Sequence, residues 1–115
     1  MEGKYISLIT YKKNGDPIAT PVWFVENDNK IYVVTLQGRY KFKRITNNPN
    51  VKIVPSSMRG KPKSEYINGM ARILSDNDSK PIIVLFKKKY RTFKLMFKEG
   101  REGEKKSIFI EITLK

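Results

Sequence analysis

Neither cysteine nor histidine occurs among the 115 residues of the chain. Without cysteine the chain cannot form a disulfide, a four-cysteine zinc site, a thiolate nucleophile or an iron–sulfur cluster. Without histidine it has no Ser-His-Asp triad, no imidazole general base and no ordinary zinc or copper site. We therefore expect no metal site. An enzyme of this composition must use carboxylates, lysines or tyrosines, or take its chemistry from a bound cofactor.

Long hydrophobic runs are also missing. The longest unbroken apolar stretch is Ile82 to Phe86, whereas a membrane-spanning helix needs about 20 apolar residues. Met1 to Tyr5 do not show the basic start and apolar run of a signal peptide. The sequence predicts a soluble, cytoplasmic protein that does not bind a membrane.

Acidic residues are scarce, with 11 Asp and Glu against 24 Lys and Arg, so the net charge is +13. Such a surplus attracts anions, whether nucleic acid, acidic membranes or phosphorylated small molecules. The alternative interpretation is a solvated, lysine-rich surface without a specific partner. The length and the 39% of hydrophobic residues suffice for one core, and we expect a single domain over residues 1–115.

Six segments have the β-branched and aromatic composition or the alternation of strands. Turn signals separate the first three at Asn14-Gly15 and at Asn27-Asp28-Asn29. Together they predict an all-β dominated fold, a small antiparallel barrel with two inserted helices. The predicted strands are Tyr5–Lys12, Ile18–Glu26, Ile31–Thr35, Val51–Val54, Glu65–Leu74 and Ile108–Leu114.

Two segments have helical spacing instead. The first is Arg39 to Asn47, which stops before Pro49. In the second, Ser79 is the predicted cap, Pro81 lies in the first turn and Gly100 ends the helix. An apolar stripe and a basic stripe run along this second helix: Ile82, Phe86, Tyr90, Phe93 and Phe97, and Lys87, Arg91, Lys94 and Lys98. We interpret the basic stripe as a solvated flank, with an anion-binding face or a membrane-surface contact as alternatives.

One candidate site lies where the third strand leads into the first helix. Thr35 ends the strand, Gly38 turns the chain, and Arg39 and Lys41 flank the helix start. The free N–H groups and the positive dipole end of a helix start attract anions, so this pattern is typical of a phosphate cradle. The alternative is that both cations are merely exposed.

A second unusual feature is Pro21 within an otherwise central-looking strand. Proline cannot donate to a sheet ladder, so this position favours an edge or a bulge. Backbone groups there can face a ligand, and the only tryptophan, Trp23, lies two residues on and could pack against a flat ring. The alternative is a core tryptophan beside an edge proline.

These segments resemble the pyridoxamine-phosphate-oxidase-like flavin-binding split barrels, especially the deazaflavin-dependent (F-420) branch. The resemblance covers roughly residues 5 to 75. One departure is the bulky Arg39-Tyr40 just before Lys41, which leaves the choice between FMN and the deazaflavin open. The motifs that carry the resemblance are Asn14 to Phe24, Ile31 to Thr35, Lys41 to Val51 and Asn68 to Ile73.

The resemblance implies a six-stranded split barrel that forms a homodimer, with FMN or 8-hydroxy-5-deazaflavin (F-420) bound between the subunits. It also implies an oxidoreductase that transfers a hydride to or from a small molecule. Thr35 and Lys41 match positions that hold the cofactor phosphate, and Pro21 to Trp23 match the strand along the isoalloxazine ring. No catalytic residue is predicted. The complete candidate set is Pro21, Val22, Trp23, Val34, Thr35, Gly38, Arg39, Lys41, Ser57, Met58 and Arg59.

Two other functions remain open. A small basic β-barrel could bind single-stranded nucleic acid through its tyrosines and phenylalanines, although no strand shows exposed aromatics flanked by basic residues, which makes nucleic acid an unlikely partner. A non-catalytic cofactor-binding protein of the same fold, including one that handles haem through tyrosine, is the other alternative.

Overall fold

The computed structural model describes residues 3–36, 40–56, 65–93 and 107–115, with the backbone alone for residues 36 and 40–42. Six strands and two helices follow one another along these ranges, as the sequence predicts. In chain order they are β1 (Tyr5–Tyr11), β2 (Pro17–Asn27), β3 (Lys30–Leu36), α1 (Tyr40–Asn47), β4 (Asn50–Ser56), β5 (Ile67–Ile73), α2 (Asp76–Lys89) and β6 (Ser107–Leu114).

The strands form a closed antiparallel barrel in the order β1-β2-β3-β6-β5-β4, so the predicted fold class is confirmed. Alternate residues of each strand point inward, and the alternation predicted for β6 places Ile108, Ile110 and Ile112 in the barrel interior. From α1, Ile45 joins this interior core, and the Arg44 Nε donates to the Thr10 hydroxyl at 2.6 Å. Helix α1 therefore closes one end of the barrel.

A second core lies outside the barrel. It joins α2 and the residues after it to the outer faces of β2, β3 and β6. Phe86 is its centre, with ring centroids 5.4 Å from Phe93 and 5.6 Å from Phe109. The predicted apolar stripe is therefore buried as far as Phe93, and Phe97 lies outside the described residues.

The two predicted turns differ in length. Asp28 and Asn29 have φ angles of 51° and 63°, and Asn27 pairs directly with Lys30, so this is a two-residue hairpin turn. The loop at Asn14-Gly15 is longer, because the flanking ladder ends at the pair Tyr11–Pro17. Only Gly15 of this dipeptide has a positive φ, of 92°.

Helix α2 begins earlier than the sequence predicts. Ser75, not Ser79, is the N-cap, because the Ser75 hydroxyl accepts a hydrogen bond from the Asp78 N–H at 3.1 Å. Ser79 lies inside the helix and its hydroxyl donates to the Ser75 carbonyl at 2.7 Å. Pro81 consequently sits beyond the first turn, so that prediction is also wrong.

The described helix ends at Lys89, where Tyr90 becomes extended, with φ of −117° and ψ of 113°. The predicted continuous helix as far as Gly100 is therefore wrong, because the chain leaves the helix at Tyr90; Gly100 itself, Lys94 and Lys98 lie outside the described residues. Within the described ranges no helix is both long and apolar enough to cross a membrane.

Candidate functional site

Strand β2 changes its neighbour halfway along its length. From Pro17 to Trp23 it pairs with β1, and from Phe24 to Asn27 it pairs with β3. The β2–β3 ladder begins only at the pair Phe24–Val33, so the two strands separate before Phe24 and after Val33. We call this stretch, where no ladder joins β2 to β3 within the described chain, the opening: Pro17 to Trp23 form one side of it and Val34 to Leu36 the other.

Five candidate residues lie along this opening. Pro21, Val22 and Trp23 stand on the β2 side, while Val34 and Thr35 stand on the β3 side, where the only ladder within the described chain is with β6. Pro21 pairs with β1 on one side only and has no partner on β3 within the described chain, so its predicted edge position agrees with the pairing. The sequence brings these two segments together through a hairpin whose strands diverge at their open end.

The other six candidates do not lie on these two strands. The backbone of Lys41 lies in the first turn of α1, close in sequence to the end of β3. The other five candidates lie outside the described residues: Gly38, Arg39, Ser57, Met58 and Arg59.

The backbone of β2 presents hydrogen-bonding groups to the opening. The Phe24 N–H and C=O point toward β1, since both meet the Tyr90 hydroxyl that also bonds the Lys4 carbonyl. Because backbone groups alternate in direction along a strand, those of Trp23 and Pro21 point toward the opening. Pro21 offers a carbonyl only, and Trp23 offers its N–H, because the Trp23 carbonyl accepts the ladder bond that flanks the pair Phe24–Val33.

On the other side of β2, two side chains from the end of α2 take the place of a strand. The Phe24 N–H donates to the Tyr90 hydroxyl at 3.0 Å, and this hydroxyl lies 2.7 Å from the Lys4 carbonyl and 2.9 Å from the Phe24 carbonyl. The Lys89 Nζ donates to the Phe24 carbonyl at 2.8 Å and lies 3.5 Å from the centre of the Phe24 ring. The Tyr90 hydroxyl is thus inserted between β1 and β2 where a ladder bond would form.

The Tyr90 ring also packs against Trp23. The two rings stack with centroids 4.4 Å apart and planes 9° apart. Burial raises the pKa of the Tyr90 hydroxyl to about 12, although its hydrogen bond to the Phe24 backbone acts in the opposite direction. Burial lowers the pKa of the Lys89 ammonium, and the Glu26 carboxylate partly offsets this. With a pKa of about 12, the Tyr90 hydroxyl stays protonated at neutral pH and can act as donor and acceptor at once.

Sequence analysis missed these roles of Tyr90 and Lys89. Tyr90 was expected only as one residue of the apolar stripe, and it is indeed 5% exposed. Its hydroxyl contacts Phe24 of β2 and Lys4, just before β1, across 66 and 86 residues of sequence. Local periodicity holds no signal for such a contact.

On the opposite side of the opening, Thr35 is 9% exposed, and strand alternation directs its side chain toward the barrel interior. Within the described part of the chain, no hydrogen bond to its hydroxyl is found, although buried hydroxyls are normally bonded. The neighbouring Val34 is half-buried on the outer face, against the second core. Thr35 therefore has hydrogen-bonding capacity left for a ligand.

A family model for pyridoxamine 5'-phosphate oxidase matches residues 2–115 of the chain. The chain belongs to the pyridoxamine 5'-phosphate oxidase family. The resemblance inferred from the sequence motifs is therefore confirmed at the level of the family. No curated protein sequence matches this family member significantly.

Solved structures agree with the family assignment. An FMN-binding, pyridoxamine 5'-phosphate oxidase-related protein from Nostoc punctiforme has a TM-score of 0.67 and 17% identity, over 96% of this chain and 70% of that protein. An F-420 reductase has a TM-score of 0.65 and 17% identity, over 97% and 86% of the two chains. The haem storage protein HutZ from Vibrio cholerae has a TM-score of 0.72 and 15% identity, over 99% and 83%. At these identities the likeness shows a shared fold.

A further charged cluster of this family member lies away from the opening. On the outer face of β6, Glu111 accepts hydrogen bonds from Tyr32 at 3.2 Å and from Arg72 at 3.3 Å, and pairs with Lys30 at 3.4 Å. Burial raises the pKa of Glu111, but Arg72, Tyr32 and Lys30 together bring it below its usual value. The carboxylate is thus ionised and fully engaged, and its role is to hold β3, β5 and β6 together.

Proposed function

We propose that this family member is a flavin- or deazaflavin-dependent oxidoreductase. The cofactor, FMN or F-420, would lie at the opening between β2 and β3, at the interface of a homodimer, and exchange a hydride with a small molecule. The observation that carries the proposal is the end of the β2–β3 ladder at the pair Phe24–Val33, with five of the eleven candidate residues on the two segments beyond it.

The open edge of β2 fits a flavin ring. The pyrimidine side of such a ring carries N–H and C=O groups in its plane, and an extended strand presents matching groups at a regular spacing. Trp23 contributes an N–H and Pro21 a carbonyl, both directed toward the opening. These backbone groups would orient the ring without any titratable side chain.

The β3 side fits the phosphate end of the cofactor. The hydroxyl of Thr35 has no bond within the described chain, and α1 begins at Tyr40, with Lys41 in its first turn. Free N–H groups at the helix start and a lysine charge both favour a phosphate. Gly38 and Arg39 connect the two features in sequence, and Ser57, Met58 and Arg59 are further candidate contacts.

The bound flavin supplies the hydride chemistry, as cofactors generally do. The protein's part is to bind, to orient and to exclude water. Trp23 and Val34 cover the outer side of the opening with apolar surface, and both are half-buried against the second core. The stacking of Trp23 on Tyr90 fixes the position of the strand segment that contacts the ring.

Two relatives support the choice of cofactor by their own descriptions. The Nostoc punctiforme protein is FMN-binding, and the other is an F-420 reductase. The nucleic-acid alternative gains no support from Phe86, Phe93 and Phe109, which are at most 2% exposed and therefore cannot stack on bases.

The test is a titration of the purified protein with FMN and with F-420, followed by flavin fluorescence. We expect saturable binding of one of them, at one molecule per subunit. Lys41→Ala should weaken that binding by about 1–3 kcal/mol, the scale of a charge-assisted hydrogen bond. The matched control is Lys43→Ala, an exposed position two residues further along α1, which should bind as the wild type does.

Each part of the proposal has its own contradicting result. No binding of either cofactor would reject the flavin site, and equal loss in both lysine variants would reject the role of Lys41. Light scattering after gel filtration should give a dimer, and a monomer with cofactor bound would reject the interface. Binding without reduction by hydride donors would leave a flavin-binding protein that is not an enzyme.

A further inference from the structure

An open cavity of about 550 Å³ lies beside the opening, on the other side of β2. It is formed by the residues at the start of β1, by Trp23, and by the residues at and just after the end of α2. Its lining residues are Lys4, Tyr5, Trp23, Lys89, Tyr90, Arg91 and Thr92. Sequence analysis singled out only Arg91 of the three cations, as part of the basic stripe.

The charged side chains found lining this cavity are all cations. Lys4, Lys89 and Arg91 line it, and no carboxylate is found among its described lining residues. The Glu26 carboxylate influences Lys89 but does not line the cavity. Three cations around one concave space raise the local concentration of anions, because their potentials add and the protein walls focus the field.

One of these cations is held in place. The Lys89 Nζ bonds the Phe24 carbonyl at 2.8 Å and lies against the Phe24 ring, so its position is fixed before any ligand arrives. An ammonium group carries three donors, and this contact uses one of them. Thr92 adds a hydroxyl, and Arg91 adds a guanidinium, which binds planar or tetrahedral oxyanions through paired N–H groups. Because the Lys89 side chain is already held in place, less conformational entropy is lost when a ligand binds to it.

We propose that this cavity binds the carboxylate or phosphate group of a small organic anion. That this anion is the redox substrate of the neighbouring opening rests on the proposed function. Its binding to the cavity does not rest on it. Trp23 connects the two places, because its backbone faces the opening while its side chain lines the cavity.

Trp23 also makes the proposal measurable, since it is the only tryptophan in the chain. The intrinsic emission of the cofactor-free protein is followed during titration with benzoate, with phenyl phosphate and with uncharged benzyl alcohol. We expect a saturable change with at least one of the two anions and none with benzyl alcohol. The anion that binds more tightly shows whether the cavity prefers a carboxylate or a phosphate. Added salt should weaken the binding because it screens exposed charges.

Matched variants locate the binding. Arg91→Gln should raise the dissociation constant about fivefold, as expected for one partly screened ionic contact, and Lys4→Gln combined with it should raise the constant further. Lys87→Gln is the control, because Lys87 is exposed on α2 and does not line the cavity. Circular dichroism checks that each variant is folded.

Three results would overturn the proposal: no saturable change with either anion, an equal change with benzyl alcohol, or equal weakening by Lys87→Gln and Arg91→Gln. Failure here is distinct from failure of the flavin proposal, because this titration contains no flavin. Flavin binding without anion binding rejects the cavity site alone, and the reverse result rejects the flavin site alone.

Discussion

Strand β2 loses a strand neighbour on each side of the step from Trp23 to Phe24, and the two resulting edges are treated differently. At Phe24, which lies beyond the first residue of β1, the Tyr90 hydroxyl and the Lys89 ammonium occupy the edge that faces β1. Before the step, where β3 has turned away, no hydrogen bond to the edge of Pro17 to Val22 that faces β3 is found within the described chain.

This difference separates a structural edge from a candidate binding edge. A backbone edge inside a folded protein must find partners, because an unpaired buried N–H or C=O is costly. Where the chain itself supplies them over a long sequence distance, the edge belongs to the scaffold. Where the chain supplies none, the edge can bind a ligand. The lesson is that two edges of one strand can be told apart by where their hydrogen bonds go.

Removing the Tyr90 hydroxyl should produce the largest effect. Tyr90→Phe keeps the ring stacked on Trp23 but leaves the Phe24 N–H and the Lys4 carbonyl without their shared partner. We expect the free energy of unfolding in urea to fall by about 1–3 kcal/mol, the cost of unsatisfied buried groups. The control is Tyr66→Phe, at a residue that is 45% exposed, which should change little. Equal effects would show that the Tyr90 hydroxyl has no structural role at this edge.

Alkaline pH should weaken the same edge without mutation. The pKa of Tyr90 is about 12 in the folded protein against an ordinary value of 10.0, so the folded state holds this proton more tightly than the unfolded chain. The stabilisation is complete below pH 10 and is lost as the pH rises toward 12. The stability difference between wild type and Tyr90→Phe should therefore shrink over that range. A difference that stays constant would contradict the assignment.

Loss of the Lys89 ammonium should cost less. Lys89→Met removes the bond to the Phe24 carbonyl and the cation over the Phe24 ring, while keeping most of the apolar side chain. Because Lys89 is partly solvated, we expect about 1 kcal/mol in thermal or urea unfolding. Lys88→Met, one residue earlier and exposed, is the matched control. A larger loss from Lys88→Met would mean that helix charge, and not the contact with Phe24, determines the effect.

A substitution at the open edge should have the smallest effect on the free energy of unfolding. Pro21→Ala removes no ladder bond, since proline donates none, and its main cost is the greater freedom of the unfolded chain, about 0.5 kcal/mol. Urea unfolding measures this directly. A loss as large as that of Tyr90→Phe would show that Pro21 is part of the scaffold, and the contrast between the two edges would disappear.

The open edge could be predicted from the sequence, whereas the filled edge could not. A proline in a strand is a local signal with one main explanation, and Pro21 lies at the edge that this signal predicts. The insertion of Tyr90 between β1 and β2 depends on tertiary packing across 66 and 86 residues. In a buried aromatic stripe, spacing alone does not reveal which hydroxyl has a partner.

The start of α2 shows a second limit of local reasoning. Ser75 and Ser79 are both acceptable caps, and a proline two residues after Ser79 favours the later one. The structure uses Ser75, because acidic residues Asp76 and Asp78 then occupy the first turn, where they favour the helix dipole. Competing caps of similar strength are decided by the residues that follow them in the first turn, and not by the cap alone.

The strand order has a consequence for how the barrel folds. β6 lies between β3 and β5, and its partners include Lys30, which pairs with Thr113 across most of the sequence. Until β6 arrives, β3 and β5 each present an unpaired edge, and such edges invite pairing with other chains. Closure over so long a loop is slow, because the loop entropy is lost before the contacts form. We therefore expect the period before β6 docks to be the time at which the nascent chain is most prone to aggregate.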